Sequence, residues 1–447
     1  MLKIKGNDYI IEFYWKVDEI SQNLSRIIIN KFGDWQLLPP LLGMESMLQY
    51  ILFSYRDRYI GWRENGESIK ICQKKIIELI SKEIDLQTLN SLALGNNKYE
   101  FPSNMKEYKY LFYCNGPRFY KFLEPIIKEM PGKAILILDS DKNNLCVKLQ
   151  HSNNCYYHYV PPHLLFTNSL SIRDRIKAVY EYSFYFSQML ASSKICRIIG
   201  NDGCQTPLKI MAQAGQEYDI QSSCIQSCWP SFFHGGYKKL PYNHFITWGE
   251  GFSKEMKKIN PTCCYTAAGY PYEVKTYGRH DAITFFLQSP LFLCTTNIFI
   301  DIYKLIENVA KKFPSTPILI RSHPDYLLPR SLKENLLYCD NVEFVDGHSI
   351  VDVFSRTKIG IAQFSTCLIE CVGHGCIPIV YDPVYLSRYK PDIEKLGIGK
   401  ICSSSTEVIS SINEVLNGDR ILFQDQGYWF KDYGKSAIQN IVTSLIN

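Results

Sequence analysis

Two short apolar runs, each ending in a polar turn that leads into a helix-length segment, constrain this chain more than any other feature. Pro317-Ile-Leu-Ile320 runs into Arg321-Ser322-His323-Pro324, and Ile359-Gly-Ile-Ala362 runs into Phe364-Ser365-Thr366, with Glu370, Gly375 and Pro378 beyond. Runs of this kind read as buried strands, so His323 and Ser365 both stand at strand carboxyl ends. Open α/β sheets bind their ligands there. Ser365 or Thr366 suits the N-cap of a helix running to about His374, whose free N–H groups and dipole would face the same crevice. Gly375 and Pro378 would end that helix and lead into a strand from Ile377 to Tyr381.

A diphosphate or phosphate ester would be held there by backbone amides, the two hydroxyls and the His323 imidazole, with Arg321 beside it. Glu370, one turn into the helix, is placed to accept hydrogen bonds from ribose hydroxyls. Gln288, after the run Ile283-Thr-Phe-Phe-Leu287, joins this donor-binding set. Each residue also has a plainer use. His323 can be a strand-end polar residue reaching water. Ser365 and Thr366 can be a helix cap, and Glu370 can offset the dipole, each contributing about 1 kcal/mol.

The same alternation runs through most of the chain. It starts at Tyr108 to Tyr113 and Ala134-Ile-Leu-Ile-Leu138, and continues through a long helix about Ile172 to Ser192 and strands near Ile195, Ile220, His244 and Cys263. A second set runs from Ile283 through Asp301 to Phe313, then Ile318, Val342, Ile359, Ile377 and a helix Thr406 to Leu416. Such alternation predicts parallel sheets. The hinge is expected near Glu273 to Asp281, which divides the chain into 1–275 and 276–447, with the closing helix Gly434 to Ile446 crossing back. Residues 1–100 read as helical stretches with charged breaks.

With 447 residues and 46% hydrophobic content, the chain can build two full cores and is not a disordered one. Its net charge of +5, from 49 basic and 44 acidic residues, is mild, and without a dense Lys/Arg run it gives no argument for nucleic acid. The 16 cysteines lie largely in apolar segments and form no CxxC pair, so buried, reduced thiols are expected rather than a disulfide framework. His151, Cys155, His158 and His163 have zinc-ligand types in a Tyr/Pro-rich stretch read as loop, but match no familiar tetrahedral spacing. Asp139-Ser140-Asp141, the literal Asp-x-Asp match, is read as turn chemistry, so no metal cofactor is expected. The start Met1-Leu-Lys-Ile-Lys-Gly is no secretory signal, and no run of ~18 apolar residues offers a membrane span. The expected location is the cytoplasm, with peripheral contact at the inner membrane face left open.

The His-Pro turn followed by a Ser-Thr turn resembles bacterial sialyltransferases and related ulosonic-acid transferases of the GT-B fold. That resemblance implies phosphate contacts for His323, Ser365 and Thr366. Glu370, Gly375 and Pro378 are similar to an element found broadly in GT-B glycosyltransferases. Ile198-Ile-Gly-Asn-Asp-Gly203, Ile220 to Gln226, Thr247-Trp-Gly249 and Ala268-Gly-Tyr-Pro271 resemble the amino-terminal half of surface-polysaccharide transferases. Where those have Gln-His-Gly, this chain has Gln226-Ser227-Cys228, with His234-Gly235 a few residues on. Asn201-Asp202-Gly203 resembles the acidic motif that supplies their carboxylate, which makes Asp202 the candidate catalytic residue. An Asp-Gly turn is its plainer reading. Trp229, Phe232 and Phe233 would wall that cleft.

The expected architecture is therefore α/β of GT-B type, with two Rossmann-like domains facing a central cleft: acceptor glycan on the first, nucleotide donor on the second. Transfer to a hydroxyl needs a base in one inverting step or a nucleophile in two retaining ones, and one carboxylate serves either plan. The donor implied by the resemblance is a CMP-linked ulosonic acid, and the product a surface polysaccharide such as O-antigen or capsule. Alternatives are a UDP- or GDP-sugar transferase, a CDP-polyol transferase, a nucleotide-sugar 2-epimerase, and a non-catalytic glycan-binding subunit.

Overall fold

The computed structural model describes residues 5–32, 41–85, 101, 105–138, 155–159, 171–229, 239–274, 280–288, 296–323, 328, 330–363, 365–383, 393–418 and 426–447. Seven strands form the first sheet: β1 (Tyr108–Cys114), β2 (Lys133–Leu138), β3 (Cys155–Tyr159), β4 (Arg197–Asn201), β5 (Gln221–Ile225), β6 (His244–Thr247) and β7 (Cys264–Ala267). Their spatial order is β3-β2-β1-β4-β5-β6-β7, and every pairing is parallel. Six more form the second sheet: β8 (Ala282–Phe286), β9 (Ile318–Arg321), β10 (Val342–Phe344), β11 (Thr357–Ala362), β12 (Ile377–Tyr381) and β13 (Lys400–Cys402). Their order is β10-β9-β8-β11-β12-β13, again parallel throughout. Both sheets have the 3-2-1-4-5-6 order of the Rossmann fold, so each has one switch point where the winding reverses. It lies between β1 and β4 in the first sheet and between β8 and β11 in the second.

The strands are apolar on both faces because helices cover both, as parallel sheets require. In β8, Ile283 and Phe285 join one core with Leu305, Val309 and Ile412, while Ala282 and Phe286 join the opposite one with Phe354 and Leu368. The two-residue period of a strand produces that split. In the first sheet, Ile198 packs toward the Ile172–Ala191 and Thr206–Gln216 helices, and Ile199 toward the Pro117–Glu129 helix.

The opening segment builds helices Lys5–Phe32, Leu41–Leu52, Arg56–Glu64 and Ile69–Ile84. Their apolar stripe, including Phe13, Val17, Ile20, Leu24 and Ile28, is buried in the same core as Ile176, Phe186 and Leu208. They form an added layer over one face of the first sheet. Residues 155–159, expected in a loop, are instead the edge strand β3, paired to β2 from Ala134↔Cys155 to Leu138↔Tyr159. The apolar, β-prone run Tyr156-Tyr157 explains this, since a sheet edge offers such a run backbone partners.

The two sheets share a core. Trp229, Trp248, Phe252 and Tyr270 pack with Phe286, Phe354, Leu368, Trp429 and Phe430. Trp248 stacks on Phe430 with centroids 5.7 Å apart and meets Tyr270 edge-on at 4.9 Å. Gly249 is required here, because a Cβ would collide with the Trp429 backbone carbonyl. The chain then returns to the first sheet: Lys431 N donates to Trp248 O at 3.0 Å, and the Gly434–Ile446 helix buries Ile441, Val442 and Leu445 beside Ile199 and Ile225. Asn440 Nδ2 donates to Ala268 O at 3.1 Å.

Candidate functional site

Asp202 follows β4 at the first switch point. Its N–H donates to Ile225 O at 3.1 Å, so the turn is tied to the end of β5. Asp202 and Gly203 have φ of 71° and 74°, both left-handed, a conformation that Asp tolerates better than most residues and Gly adopts freely. Two donors fix the carboxylate: Gln205 Nε2 reaches Oδ2 at 2.8 Å, and Cys228 Sγ reaches Oδ1 at 2.8 Å. The turn is also braced from behind. Tyr242 Oη donates to Gly203 O at 3.1 Å, and Ser46 Oγ, from the added helical layer, donates to Cys204 O at 3.1 Å.

Thr366 opens the Thr366–Gly373 helix after β11, at the second switch point. Ser365 is its N-cap, with Oγ accepting from Cys367 N at 3.3 Å, so the capping role is realised. Thr366 Oγ1 accepts from Trp229 N at 3.3 Å. Cys228 and Trp229 therefore form a two-residue bridge: the first touches Asp202 and the second touches the helix N-terminus of the other sheet. The two switch points meet through this bridge.

Glu370, one turn along, accepts from Tyr270 Oη at 2.8 Å, and Tyr270 belongs to the segment leaving the first sheet. Burial first, and then the Glu370 charge, push the Tyr270 phenol well above its ordinary range, so it stays a donor. Gly375, with φ 73°, ends the helix turn and leads into β12.

His323 is half-buried after β9. β9 and β11 flank β8, two strand spacings or about 10 Å apart, so His323 and Ser365 follow strands that end at the same carboxyl side of the sheet. Gln288, buried, follows β8, the strand between those two. Arg321 Nη1 donates to the carbonyls of Val345, Asp346 and His348 at 2.6, 2.5 and 3.0 Å, so this edge of the guanidinium pins the segment after β10. Ser322 is held by Asp346, its N–H to Oδ1 at 2.7 Å and its Oγ to Oδ2 at 3.1 Å, with Lys333 Nζ at 3.0 Å from Oδ2. Burial raises the Asp346 carboxyl, but the Ser322 N–H and Lys333 outweigh it and hold the group below its usual range.

Gln226 closes the end of β5 against Trp248, accepting from Trp248 N at 3.0 Å through Oε1 and donating to Cys228 O at 3.2 Å. Trp229 is buried in the shared core. Pro324, Phe364, Phe232, Phe233, His234-Gly235, Asp139-Ser140-Asp141, His151 and His163 lie outside the described residues. Among the described residues no group of three or more His, Cys, Asp or Glu could hold a metal, and no helix is long and apolar enough to cross a membrane. Sequence reading did not single out Gln205, and it named Cys228 and Tyr270 only within motifs, with no role for either. Gln205 was detectable as the residue preceding the Thr206-Pro207 helix start, three positions after Asp202.

Compared by sequence, the chain matches no protein-family model and no curated protein. Compared by structure, it is similar to the UDP-GlcNAc 2-epimerase from Neisseria meningitidis bound to UDP-GlcNAc, with a TM-score of 0.52 at 11% identity over 76% of this chain and 99% of that one. The Methanocaldococcus jannaschii UDP-GlcNAc 2-epimerase in complex with UDP-GlcNAc and UDP gives 0.52 at 10% identity, over 76% of this chain and 100% of that one. The lipopolysaccharide outer core galactosyltransferase WaaB in its apo form gives 0.50 at 11% identity, over 75% and 99%. None of the three is a sialyltransferase or ulosonic-acid transferase. At these identities the likeness is one of fold, and the fold is GT-B: two Rossmann-like domains facing one cleft.

Proposed function

We propose that the chain is a glycosyltransferase that moves a sugar from a nucleotide-activated donor to a glycan acceptor, with residues 276–447 holding the nucleotide and residues 1–275 the acceptor. The observation that carries this reading is the Cys228-Trp229 bridge, which brings the Asp202 carboxylate to the helix N-terminus at Thr366. A helix N-terminus favours the phosphate of a donor, and a fixed carboxylate beside it supplies the base or nucleophile that glycosyl transfer needs. His323, Ser365, Thr366 and Glu370 are the donor-facing groups in this reading, Pro324 completes the His-Pro turn, and Gln288 follows the strand between theirs. The finer reading is a CMP-linked ulosonic acid donor and a surface-polysaccharide product. One imidazole and a hydroxyl pair match the single phosphate that such a donor leaves.

The test is a thermal-shift panel of CMP, CDP, UDP and GDP on the wild type and His323→Ala. Stabilisation by a nucleotide that weakens in the variant by about 1.5–3 kcal/mol supports the site. Preference for cytidine nucleotides supports the finer reading, and preference for UDP removes it. Unchanged affinity in His323→Ala counts against the site, and no response to any nucleotide favours a glycan-binding subunit. A second reading, nucleotide-sugar 2-epimerase, has the fold likeness in its favour. Conversion of UDP-GlcNAc with no acceptor present would establish it over transfer.

A further inference from the structure

Buried polar atoms that have nothing to bond to gather where β4 and β5 end, in the two segments that hold Asp202. Asn201, immediately before it, is fully buried, and neither its Nδ2 nor its Oδ1 has a hydrogen-bond partner. Gln205, 5% exposed, donates to Asp202 through Nε2 and leaves Oε1 without one. Ser227, next to the thiol that donates to Asp202, has a buried Oγ with none. Buried polar groups in folded proteins are nearly always bonded, and each exception carries a desolvation penalty. Four such atoms in the two adjoining strand ends that carry Asp202 and its thiol donor call for a ligand that satisfies them together.

The chemistry of that ligand follows from the set. An amide donor, two amide acceptors and a hydroxyl are all neutral, and with the Asp202 charge beside them they disfavour phosphate or carboxylate. Groups that both donate and accept, several to one rigid frame, complement them, and these are the hydroxyls of a sugar ring. We propose that Asn201, Gln205 and Ser227 form the sugar-recognising ring around Asp202, reading hydroxyls while the Thr366 side holds the nucleotide. This rests on Asp202 being the reacting carboxylate. The atoms are sealed in this structure, so binding includes opening of the adjacent seam at which Trp229 N meets Thr366 Oγ1. The sugar can be the donor's or the acceptor's, and the arms of the test separate the two.

The experiment is a thermal-shift series on the wild type, Asn201→Leu and Gln205→Met, which keep shape and remove the unbonded atoms, the second together with the Nε2 donor to Asp202. The probes are none, UDP or CMP, UDP-GlcNAc or CMP-N-acetylneuraminate, and free N-acetylglucosamine or galactose. Without ligand, Asn201→Leu is expected to raise Tm by about 2–4 °C. Both variants keep the wild-type response to the nucleotide and lose the extra stabilisation given by the sugar. Extra stabilisation from the sugar nucleotide assigns the ring to the donor, and from free sugar to the acceptor. A drop in Tm for Asn201→Leu makes the amide structural and overturns the ring. So does a sugar response that survives in both variants, or a wild type that answers to nucleotide alone. A wild type that answers to no nucleotide overturns the functional reading itself, and the ring with it.

Discussion

Tyr270 Oη donates to Glu370 Oε1 at 2.8 Å, joining the segment that leaves the first sheet to the helix that opens the site on the second. Tyr270 is 3% exposed and packs against Trp248 and Phe430, so the bond is made inside the core that the two sheets share. Glu370 is thereby fixed by a residue from the other side of the cleft.

Tyr270→Phe keeps the ring and removes the bond. A hydrogen bond to a charged group is worth about 1.5–3 kcal/mol, and here its loss also leaves a carboxylate oxygen without that donor. Urea unfolding of Tyr270→Phe is expected to show a loss of that size. Equal stability of the two proteins would mean that Glu370 is satisfied by water and that the contact does not hold the sheets together.

Most strands and their parallel pairing were legible because a buried parallel strand is apolar on both faces and helices separate it from the next; the spatial order and the edge strand β3 were not. Ala134 to Leu138 and Ile359 to Ala362 need no tertiary information to be read. What was not legible depends on where an element is applied. The stripe Phe13, Val17, Ile20, Leu24, Ile28 announces a helix but not that its partner is the Ile172–Ala191 face. The second use of Arg321 was not legible either, because its Nη1 partners are carbonyls 24 to 27 positions further along the chain. The Cys228–Asp202 and Trp229–Thr366 bonds link residues 26 and 137 positions apart, beyond any local pattern.

His374 sets an acid limit on stability. It is 2% exposed and stacks on Phe354 at 4.4 Å; burial, and then the nearby His280, push its imidazole down to about 4. In the unfolded chain the ring takes up a proton near 6.5. The folded protein binds fewer protons between those values, so the contribution is complete above about 6.5 and lost as pH falls toward 4, by about 3 kcal/mol at the limit. Chemical denaturation at pH 7 and pH 5 is expected to show a drop that His374→Phe reduces. A variant with the wild-type pH slope would place the acid sensitivity elsewhere.

Asp346 positions the His323 turn without touching its ring. It accepts from Ser322 N, Ser322 Oγ and Lys333 Nζ, and it sits beside the carbonyls that Arg321 holds. Asp346→Ala leaves the buried Ser322 N–H without its acceptor, at a cost of about 1–3 kcal/mol. Nucleotide stabilisation should fall along with stability, whereas Lys333→Met, which removes only a half-exposed ion pair, should cost no more than about 1 kcal/mol. Equal effects of the two substitutions would show that the ion pair, rather than the Ser322 bonds, sets the turn.

Asp202 has two separable properties, a left-handed backbone and a charge. Asp202→Gly relieves the backbone, by about 1 kcal/mol, but leaves Gln205 Nε2 and Cys228 Sγ without their acceptor. Asp202→Asn keeps the shape, tolerates the same φ and removes the charge; it also turns one acceptor oxygen into an NH2, which the unbonded Gln205 Oε1 can accept from once that amide flips. Its stability is expected to stay within about 1 kcal/mol of wild type. Turnover of the sugar nucleotide identified by the binding panel should fall by about 10²–10⁴, the usual contribution of a positioned acid or base. If Asp202→Asn instead loses stability and keeps turnover, the residue is an Asp-Gly turn and the reacting group lies elsewhere. If it folds and loses turnover while still binding nucleotide, the carboxylate acts on the sugar.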